Sequence, residues 1–241
     1  EALGTTVAIL ASCLIQAKQP NVLFIICDDL NVHLSAAGYD QVPTPELNGL
    51  ASESITFTRA YCQYPVCGPS RASLLSGLYP ESTGVLSNTV DIRESRPGTV
   101  SLPQRFKDSG YWAAGTGKIF HNPKFTPTEE AWDEFIKFTN DKHGIEIEAQ
   151  AEFEAKNGSI DDRKNRQAWK AFLSAYSTQT RGQTPPGYGP TDLSDEQHMD
   201  GKNARQVADW LDNQSYGEKP FFIACGIQKP HVPFLAPQKY F

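Results

Sequence analysis

The chain has 241 residues and a mass of 26.6 kDa, enough for one large domain or two small ones with a sizeable core. Its 39% hydrophobic and 21% charged residues are close to globular averages, which excludes wholesale disorder and a polytopic membrane protein. The net charge of -6, with 22 Lys and Arg against 28 Asp and Glu and no basic run, argues against nucleic acid as a partner. An anionic substrate stays compatible with this charge, because a few cations can line a cleft.

An apolar stretch, Val7 to Ile15, lies near the start of the chain. It is far shorter than the roughly 20 residues that span a bilayer, so residues 1–19 are interpreted as an export signal segment. Cleavage near Ala17 and lipid attachment at Cys13, within a sequence resembling a bacterial lipoprotein box, are both open, and a buried N-terminal helix is the remaining alternative. We expect an exported protein, periplasmic or secreted, that touches the membrane only through such a lipid anchor.

The remaining sequence predicts apolar strands separated by helices, a pattern typical of an α/β sheet with right-handed crossovers. The first strand is uniformly apolar, as in strands buried on both faces of a parallel sheet. Residues 122–190 are polar and irregular and are interpreted as an excursion that decorates the sheet. The predicted elements are strands Val22–Cys27, Ile55–Tyr61, Tyr111–Thr116 and Phe221–Ile227, and helices Thr44–Ser52, Pro69–Ser76, Leu102–Ser109, Asp161–Ala175 and Asp195–Leu211.

Each of the three core strands is followed by polar side chains that can carry chemistry. Asp28 and Asp29 follow the first strand, Lys118 and His121 the second, and Lys229 and His231 the third. In open α/β sheets, ligands bind outside the carboxyl ends of the strands. The sequence therefore predicts that these residues converge on one site.

Two adjacent carboxylates at the end of a buried strand raise each other's pKa unless a positive charge lies beside them. A divalent cation would supply that charge, and carboxylate oxygens favour Ca²⁺ or Mg²⁺. The alternative is that Asp28 caps a turn and Asp29 is solvated. The five cysteines contain no CxxC pair, which disfavours a cysteine zinc site.

The segment from Cys67 to Gly77 carries the most specific signal in the chain. It places a cysteine just before a helix that starts at a proline, where free N–H groups and the helix dipole favour an anion. Arg71 follows in the first turn, where its guanidinium can meet an anionic oxygen. The residues alone are compatible with a reactive thiolate of lowered pKa or with a buried structural cysteine.

The motif Cys-x-Pro-Ser-Arg followed by x-x-Leu-Leu-Ser-Gly resembles the signature of the type I sulfatases, in which the cysteine becomes Cα-formylglycine. The segments Asn21–Asp29, Gly117–His121 and Lys229–Phe234 resemble further motifs of that family, in the form found in its iduronate-2-sulfatase-like bacterial members. The resemblance implies an alkaline-phosphatase-like core sheet, mostly parallel and flanked by helices. Residues 20–241 would be the N-terminal part of the catalytic domain, since the family's later metal ligands have no counterpart in this sequence.

The resemblance also implies a mechanism and a partner. The hydrated formylglycine at position 67 attacks sulfur through one hydroxyl and later regenerates the aldehyde, on a sulfated carbohydrate substrate. Ca²⁺, with Mg²⁺ as the alternative, is bound by Asp28, Asp29 and residue 67. A formylglycine-generating or anaerobic maturation enzyme would modify Cys67. The implied catalytic residues, besides residue 67, are Arg71 and Lys118 as cationic groups and His121 and His231 as proton-transfer groups.

Two other functions stay open at this point. The first is a phosphodiester or phosphonate monoester hydrolase of the same superfamily, since these enzymes share the cysteine motif. The second is a catalytically dead, envelope-anchored binding module, which is compatible with the lack of the later metal ligands in this sequence. Lys229 is either a substrate contact or a surface charge, and Cys62 is expected to be a free core thiol. The isolated 241-residue chain is expected to be poorly soluble and inactive.

Overall fold

The computed structural model describes residues 19–121, 128–142, 144–181 and 188–241. Residues 1–18, which include Cys13 and almost all of the predicted export segment, lie outside the described residues, as does His143. Within the described ranges, no helix combines the length and apolar character needed to cross a membrane.

In the described part of the chain, four parallel strands form the central sheet: β1 (Val22–Asp28), β2 (Trp112–Gly117), β3 (Glu134–Ile136) and β5 (Phe221–Pro230). Their order in the sheet is β1-β5-β2-β3. The strand of this sheet that comes last in the chain, β5, is therefore inserted between the two earlier core strands, β1 and β2. The predicted α/β class with a parallel sheet is confirmed.

Helices flank the sheet, and a second, two-stranded parallel sheet joins β4 (Tyr188–Thr191) to β6 (Phe234–Pro237). The described helices are α1 (Pro45–Ser52), α2 (Cys67–Ser76), α3 (Pro80–Thr83), α4 (Ile92–Ser95), α5 (Leu102–Asp108), α6 (Thr128–Ala131), α7 (Gly144–Asn157), α8 (Arg166–Arg181) and α9 (Met199–Asp212). Short 3₁₀ turns cover Ser35–Ala37, Arg163–Asn165 and Gln238–Tyr240.

The core lies on both faces of β5, because alternate side chains of a strand point to opposite faces. Phe222 and Ala224 pack with residues of α2, α5 and β2, and Phe106 of α5 stacks on Phe222 with ring centroids 4.4 Å apart. Ile223 and Cys225 pack on the other face, against Val207 and Trp210 of α9. The strand buried on both faces is thus β5.

The prediction that the first strand is buried on both faces is wrong. Within the described residues β1 pairs only with β5, and it lies at the edge of the sheet. Phe24 and Ile26 pack against the core, whereas Leu23 and Ile25 are 45% and 57% exposed. An uninterrupted apolar run indicates a strand, but it does not show which faces of that strand have partners.

Most predicted helices are present, with shifted ends. The helix expected from Pro69 begins at Cys67 and ends, as predicted, before Gly77, whose φ of 70° suits a residue without Cβ. The expected helix 161–175 corresponds to α8, and α7 was not predicted.

The prediction of a strand at residues 55–61 is wrong. No strand covers these residues, and Ile55 and Phe57 are 83% and 80% exposed. Among the described residues, this segment has no neighbouring strand with which to pair.

Two glycines allow a close approach of the backbone where β2 ends. Gly117 has φ of 75°, and a Cβ there would lie 2.0 Å from the carbonyl oxygen of Gly226 in β5. A Cβ on Gly226 would lie 2.3 Å from the backbone nitrogen of Lys118, which donates a hydrogen bond to the Gly226 carbonyl at 3.0 Å. Fully buried Asn203 of α9 also donates to this carbonyl, at 3.3 Å. The two glycines thus fix where the chain leaves β2 and where Lys118 lies.

We predict that Gly226→Ala destabilises the protein by about 1–3 kcal/mol or more, because the added methyl group has no free space beside the Lys118 backbone. Gly49→Ala in α1 is the matched control. No atom lies within 4 Å of its added Cβ, so alanine should be neutral or stabilise the helix by about 0.5–1 kcal/mol. Urea denaturation of both variants measures the difference, and equal midpoints would contradict the proposed close approach.

Candidate active site

A buried carboxylate, Asp28, lies at the centre of the candidate site, at the end of β1. Its side chain is 4% exposed and accepts a hydrogen bond from Arg71 Nη2 at 2.9 Å through Oδ1. Its other oxygen, Oδ2, accepts a hydrogen bond from Lys118 Nζ. Burial alone would raise the pKa of Asp28, but the hydrogen bonds and positive charges of Lys118 and Arg71 outweigh it, so the pKa is lowered. Asp28 is therefore ionised at neutral pH.

Arg71 connects three parts of the chain through one guanidinium group. It comes from the second turn of α2 and is 4% exposed. Besides its ion pair with Asp28, its Nη1 donates to the backbone carbonyls of Lys118 and Ile119, the latter at 3.0 Å. Because the planar guanidinium has several fixed donors, it fixes α2, β1 and the segment after β2 relative to one another.

Cys67 is the first residue of α2, four residues before Arg71, so both project from one face of the helix. It is partly buried and is not in a disulfide. Its Sγ lies 3.5 Å from Oδ1 of Asn88, and the same oxygen accepts a hydrogen bond from the Gly68 N–H at 2.8 Å. Asn88 therefore contacts both the cysteine and one of the free N–H groups at the start of the helix.

Asn88 could not be predicted from the sequence, because the residue lies in an irregular segment without a motif. Only its position opposite the start of α2 identifies it as part of the site.

His231 follows β5 and lies between the two aspartates. Its Nε2 is 4.0 Å from Oδ2 of Asp28 and 3.9 Å from Oδ2 of Asp29. Its Nδ1 lies 2.7 Å from the carbonyl of Val232, which can only accept, so Nδ1 carries the proton and Nε2 faces the carboxylates. Asp29, with 60% of its side chain exposed and φ of 61°, is open to solvent. The structure thus brings both aspartates and His231 together.

His121 lies beside α2, on a cavity of about 250 Å³ that Gly68, Arg71 and Asn88 also line. Its Nδ1 is buried and has no hydrogen-bond partner among the described residues. Burial, followed by the positive charge of Lys118, lowers the pKa of His121. A neutral imidazole with a free ring nitrogen can accept a proton near pH 7.

The residues described fit a divalent ion only as part of a ligand set. Asp28 and Asp29 offer the hard oxygen atoms that Ca²⁺ and Mg²⁺ prefer. Both oxygens of Asp28 are engaged by cationic side chains, and the described part of the chain contains no group of three His, Cys, Asp or Glu side chains arranged to hold a metal. The ligand set of Asp28, Asp29 and Cys67 expected from the sequence therefore stays a prediction.

Two other residues singled out in the sequence have different surroundings from those expected. The ammonium group of Lys229 donates to the backbone carbonyls of His231, at 3.2 Å, and of Pro233, so it supports the chain after β5. Cys62 is a free thiol, as expected, but it is exposed rather than in the core.

Comparison with known proteins identifies the family of the chain. The family model described as Sulfatase matches residues 20–241. The chain belongs to the sulfatase family. It is 34% identical to a sulfatase of Formosa agariphila over 94% of the chain and 42% of that protein, and 28% identical to iduronate 2-sulfatase of Homo sapiens over 91% and 36%.

Solved structures support the same fold for this sulfatase chain. The crystal structure of Ps i-CgsB in complex with k-i-k-neocarrahexaose matches with a TM-score of 0.63 and 19% identity, over 92% of this chain and 48% of that one. The predicted alkaline-phosphatase-like fold class is thereby confirmed. The sulfatase chain spans about two fifths of the length of the two curated relatives.

The lowered pKa of Asp28 predicts a defined pH dependence of stability. Its contribution is complete above the unfolded pKa of about 4 and is lost as the pH falls through the lower folded pKa. Asp28→Asn should cost about 3–5 kcal/mol at pH 7, since two buried cations lose their partner, and should remove part of the stability loss below pH 4.

Asp40→Asn, at an exposed aspartate, is the control and should change stability by less than about 0.5 kcal/mol at any pH. Urea denaturation between pH 3 and pH 7 measures both variants. An Asp28→Asn curve parallel to that of the unmodified protein below pH 4 would contradict the ion-pair interpretation.

Proposed function

We propose that this chain carries the nucleophile side of an active site that hydrolyses sulfate esters on a sulfated carbohydrate, with formylglycine made from Cys67 as the nucleophile. One observation carries the proposal: Asp28, Lys118 and His231 meet at the carboxyl ends of three adjacent strands, with α2 and its Cys67 fixed to them through Arg71. Family membership supports the reaction class. The sugar named by iduronate 2-sulfatase and the oligosaccharide bound to Ps i-CgsB support a carbohydrate substrate.

Residue 67 is well placed for an oxygen nucleophile. The start of α2 favours anions through its free N–H groups and its dipole, and a sulfate ester is an anion. The thiol is free and small, so conversion to an aldehyde needs no repacking. When hydrated, the aldehyde supplies one hydroxyl to attack sulfur and a second that allows sulfate to leave.

Lys118 and Arg71 provide the positive charge of the site. In this structure both pair with Asp28, so one carboxylate neutralises part of two positive charges. Lys118 is the more exposed of the pair, with 15% of its side chain accessible against 5% for Arg71. We assign Lys118 to the binding of sulfate oxygens and Arg71 to holding the site together, because preorganised charge stabilises a developing anion without reorganisation.

The two histidines have different roles in this proposal. His121 is neutral near pH 7 because burial and Lys118 lower its pKa, and its Nδ1 is free to accept a proton from the hydrated aldehyde. His231 presents Nε2 towards the aspartates and is assigned to sulfate binding or, when Nε2 also carries a proton, to protonation of the leaving alcohol oxygen.

We also propose that Asp28, Asp29 and the modified residue 67 bind Ca²⁺, or alternatively Mg²⁺, together with ligands outside the described residues. The ion would act as a Lewis acid that polarises a sulfate oxygen. Export, with either cleavage near Ala17 or lipid attachment at Cys13, is part of the same proposal, as is a maturation enzyme that converts Cys67. The acidic charge balance argues against nucleic acid as a partner.

The formylglycine prediction is tested with Cys67→Ala in the full-length protein coexpressed with a maturation enzyme. Peptide mass spectrometry of the protein without the substitution should show an aldehyde in place of the thiol at residue 67. Turnover of 4-nitrocatechol sulfate should be lost in Cys67→Ala. Cys62→Ala, at an exposed free cysteine, should keep full turnover. An intact Cys67 thiol in fully active protein would exclude this nucleophile, and preferential turnover of an aryl phosphodiester would favour the phosphodiesterase alternative.

The metal prediction is tested with Asp29→Ala, because Asp29 makes no ion pair with Lys118 or Arg71 that would complicate the result. The variant should lose stoichiometric calcium and at least about 100-fold in turnover, since one carboxylate cannot hold the ion in a fixed position. Elemental analysis of the purified full-length protein measures the metal. Asp40→Ala is the matched control, and retained calcium with normal turnover in Asp29→Ala would assign Asp29 to solvent.

A further inference from the structure

The last part of β5 departs from regular pairing just before it reaches the site. Cys27 of β1 pairs with Ile227, but the next residue, Asp28, pairs with Pro230. Two residues of β5, Gln228 and Lys229, therefore have no counterpart on β1. A bulge of this kind bends a strand and changes the direction of the side chains that follow it.

The backbone N–H groups of this two-residue bulge both donate to one carboxylate. Asp200 accepts from Gln228 through Oδ1 and from Lys229 through Oδ2, each at 2.8 Å. Asp200 lies in the first turn of α9, which packs across the face of the sheet. Because both oxygens are used, the carboxylate fixes the position of the bulge relative to α9, and a charged acceptor makes stronger bonds than a neutral one.

The bulge leads directly into a turn that carries His231. The backbone N–H of His231 donates to the carbonyl of Gln228 at 3.0 Å. The ammonium group of Lys229 reaches forward to the carbonyls of His231 and Pro233. Asp200 thus holds the start of the turn, while the Lys229 side chain holds its end.

We propose that Asp200 and Lys229 are positioning residues for His231: they hold the turn after β5 so that Nε2 of His231 faces Asp28 and Asp29. The inference rests on the proposed function and deepens it, since it adds two residues that touch no reacting group. The His231 ring has a single hydrogen bond among the described residues, from Nδ1 to the Val232 carbonyl, so its direction depends on the backbone of this turn.

The substitution Asp200→Asn removes one of the two acceptors and places an amide N–H against a backbone N–H. We expect the kcat of the full-length protein on 4-nitrocatechol sulfate to fall about 10- to 100-fold, the loss typical of a catalytic group displaced by about 1 Å, with KM changed less than about twofold. Asp200→Glu, which keeps both acceptors, should recover part of the loss. Asp209→Asn, an identical change at an exposed position of α9, is the control and should leave both constants unchanged.

A second variant, Lys229→Met, keeps the apolar stem and removes the ammonium group that supports the turn. It should lower kcat in the same way as Asp200→Asn. Lys219→Met, at an exposed lysine, should not. If Asp200→Asn does not fold, as judged by its thermal unfolding midpoint, Lys229→Met carries the test.

The readout specific to positioning is the His231 ring itself. Long-range ¹H–¹⁵N spectra of histidine-labelled protein, recorded where the imidazole is neutral, should show one tautomer with the proton on Nδ1. In Asp200→Asn and Lys229→Met we expect a mixture of both tautomers, with the control variants unchanged. An unaltered His231 ring signal in both folded variants would overturn the positioning role.

This readout also separates the two proposals. If the unmodified full-length protein fails to hydrolyse the sulfate ester, the proposed function is overturned, and the ring signals still decide whether the two residues position His231. If turnover is normal in both variants, the positioning role is overturned while the proposed function stands.

Discussion

The candidate site depends on one buried ion triad, in which the carboxylate of Asp28 lies between Arg71 and Lys118. The three side chains come from β1, α2 and the segment after β2, so one set of charges joins parts of the chain up to 90 residues apart. Burying any one of these charges alone would be costly, because the interior cannot solvate it as water does. Each therefore requires the other two, and the start of α2 is held close to the strand ends as a result.

The positions of backbone groups around the triad follow from this arrangement. Arg71 also donates to the carbonyls of Lys118 and Ile119, and the Lys118 N–H donates to Gly226 of β5. The segment after β2 is thus fixed by side-chain and backbone bonds at once. Absence of a Cβ at Gly117 and Gly226 lets the two strand ends approach closely enough for this geometry.

The sequence predicted the fold class and the convergence of strand ends, because both follow from local patterns. Three apolar runs ending in polar residues define a parallel sheet and its ligand edge without knowledge of strand order. What could not be predicted depends on distant contacts. The edge position of β1, the lack of a strand at 55–61 and the contact of Asn88 with Cys67 all depend on which segments lie next to one another. A single sequence does not contain that information.

The insertion of β5 between β1 and β2 has a consequence for how the protein folds. The Asn21 side chain accepts a hydrogen bond from the Phe221 N–H across 200 residues, and the whole length of β1 pairs with β5. During synthesis β1 and β2 emerge early, but they are not neighbours in the sheet and cannot pair with each other. Closing so long a loop has a large entropic cost, which slows folding of proteins rich in distant contacts. Asp28 and Asp29 therefore stay accessible to solvent until the ribosome has released β5. Only then can β1 and β2 pair with β5 and complete this part of the sheet.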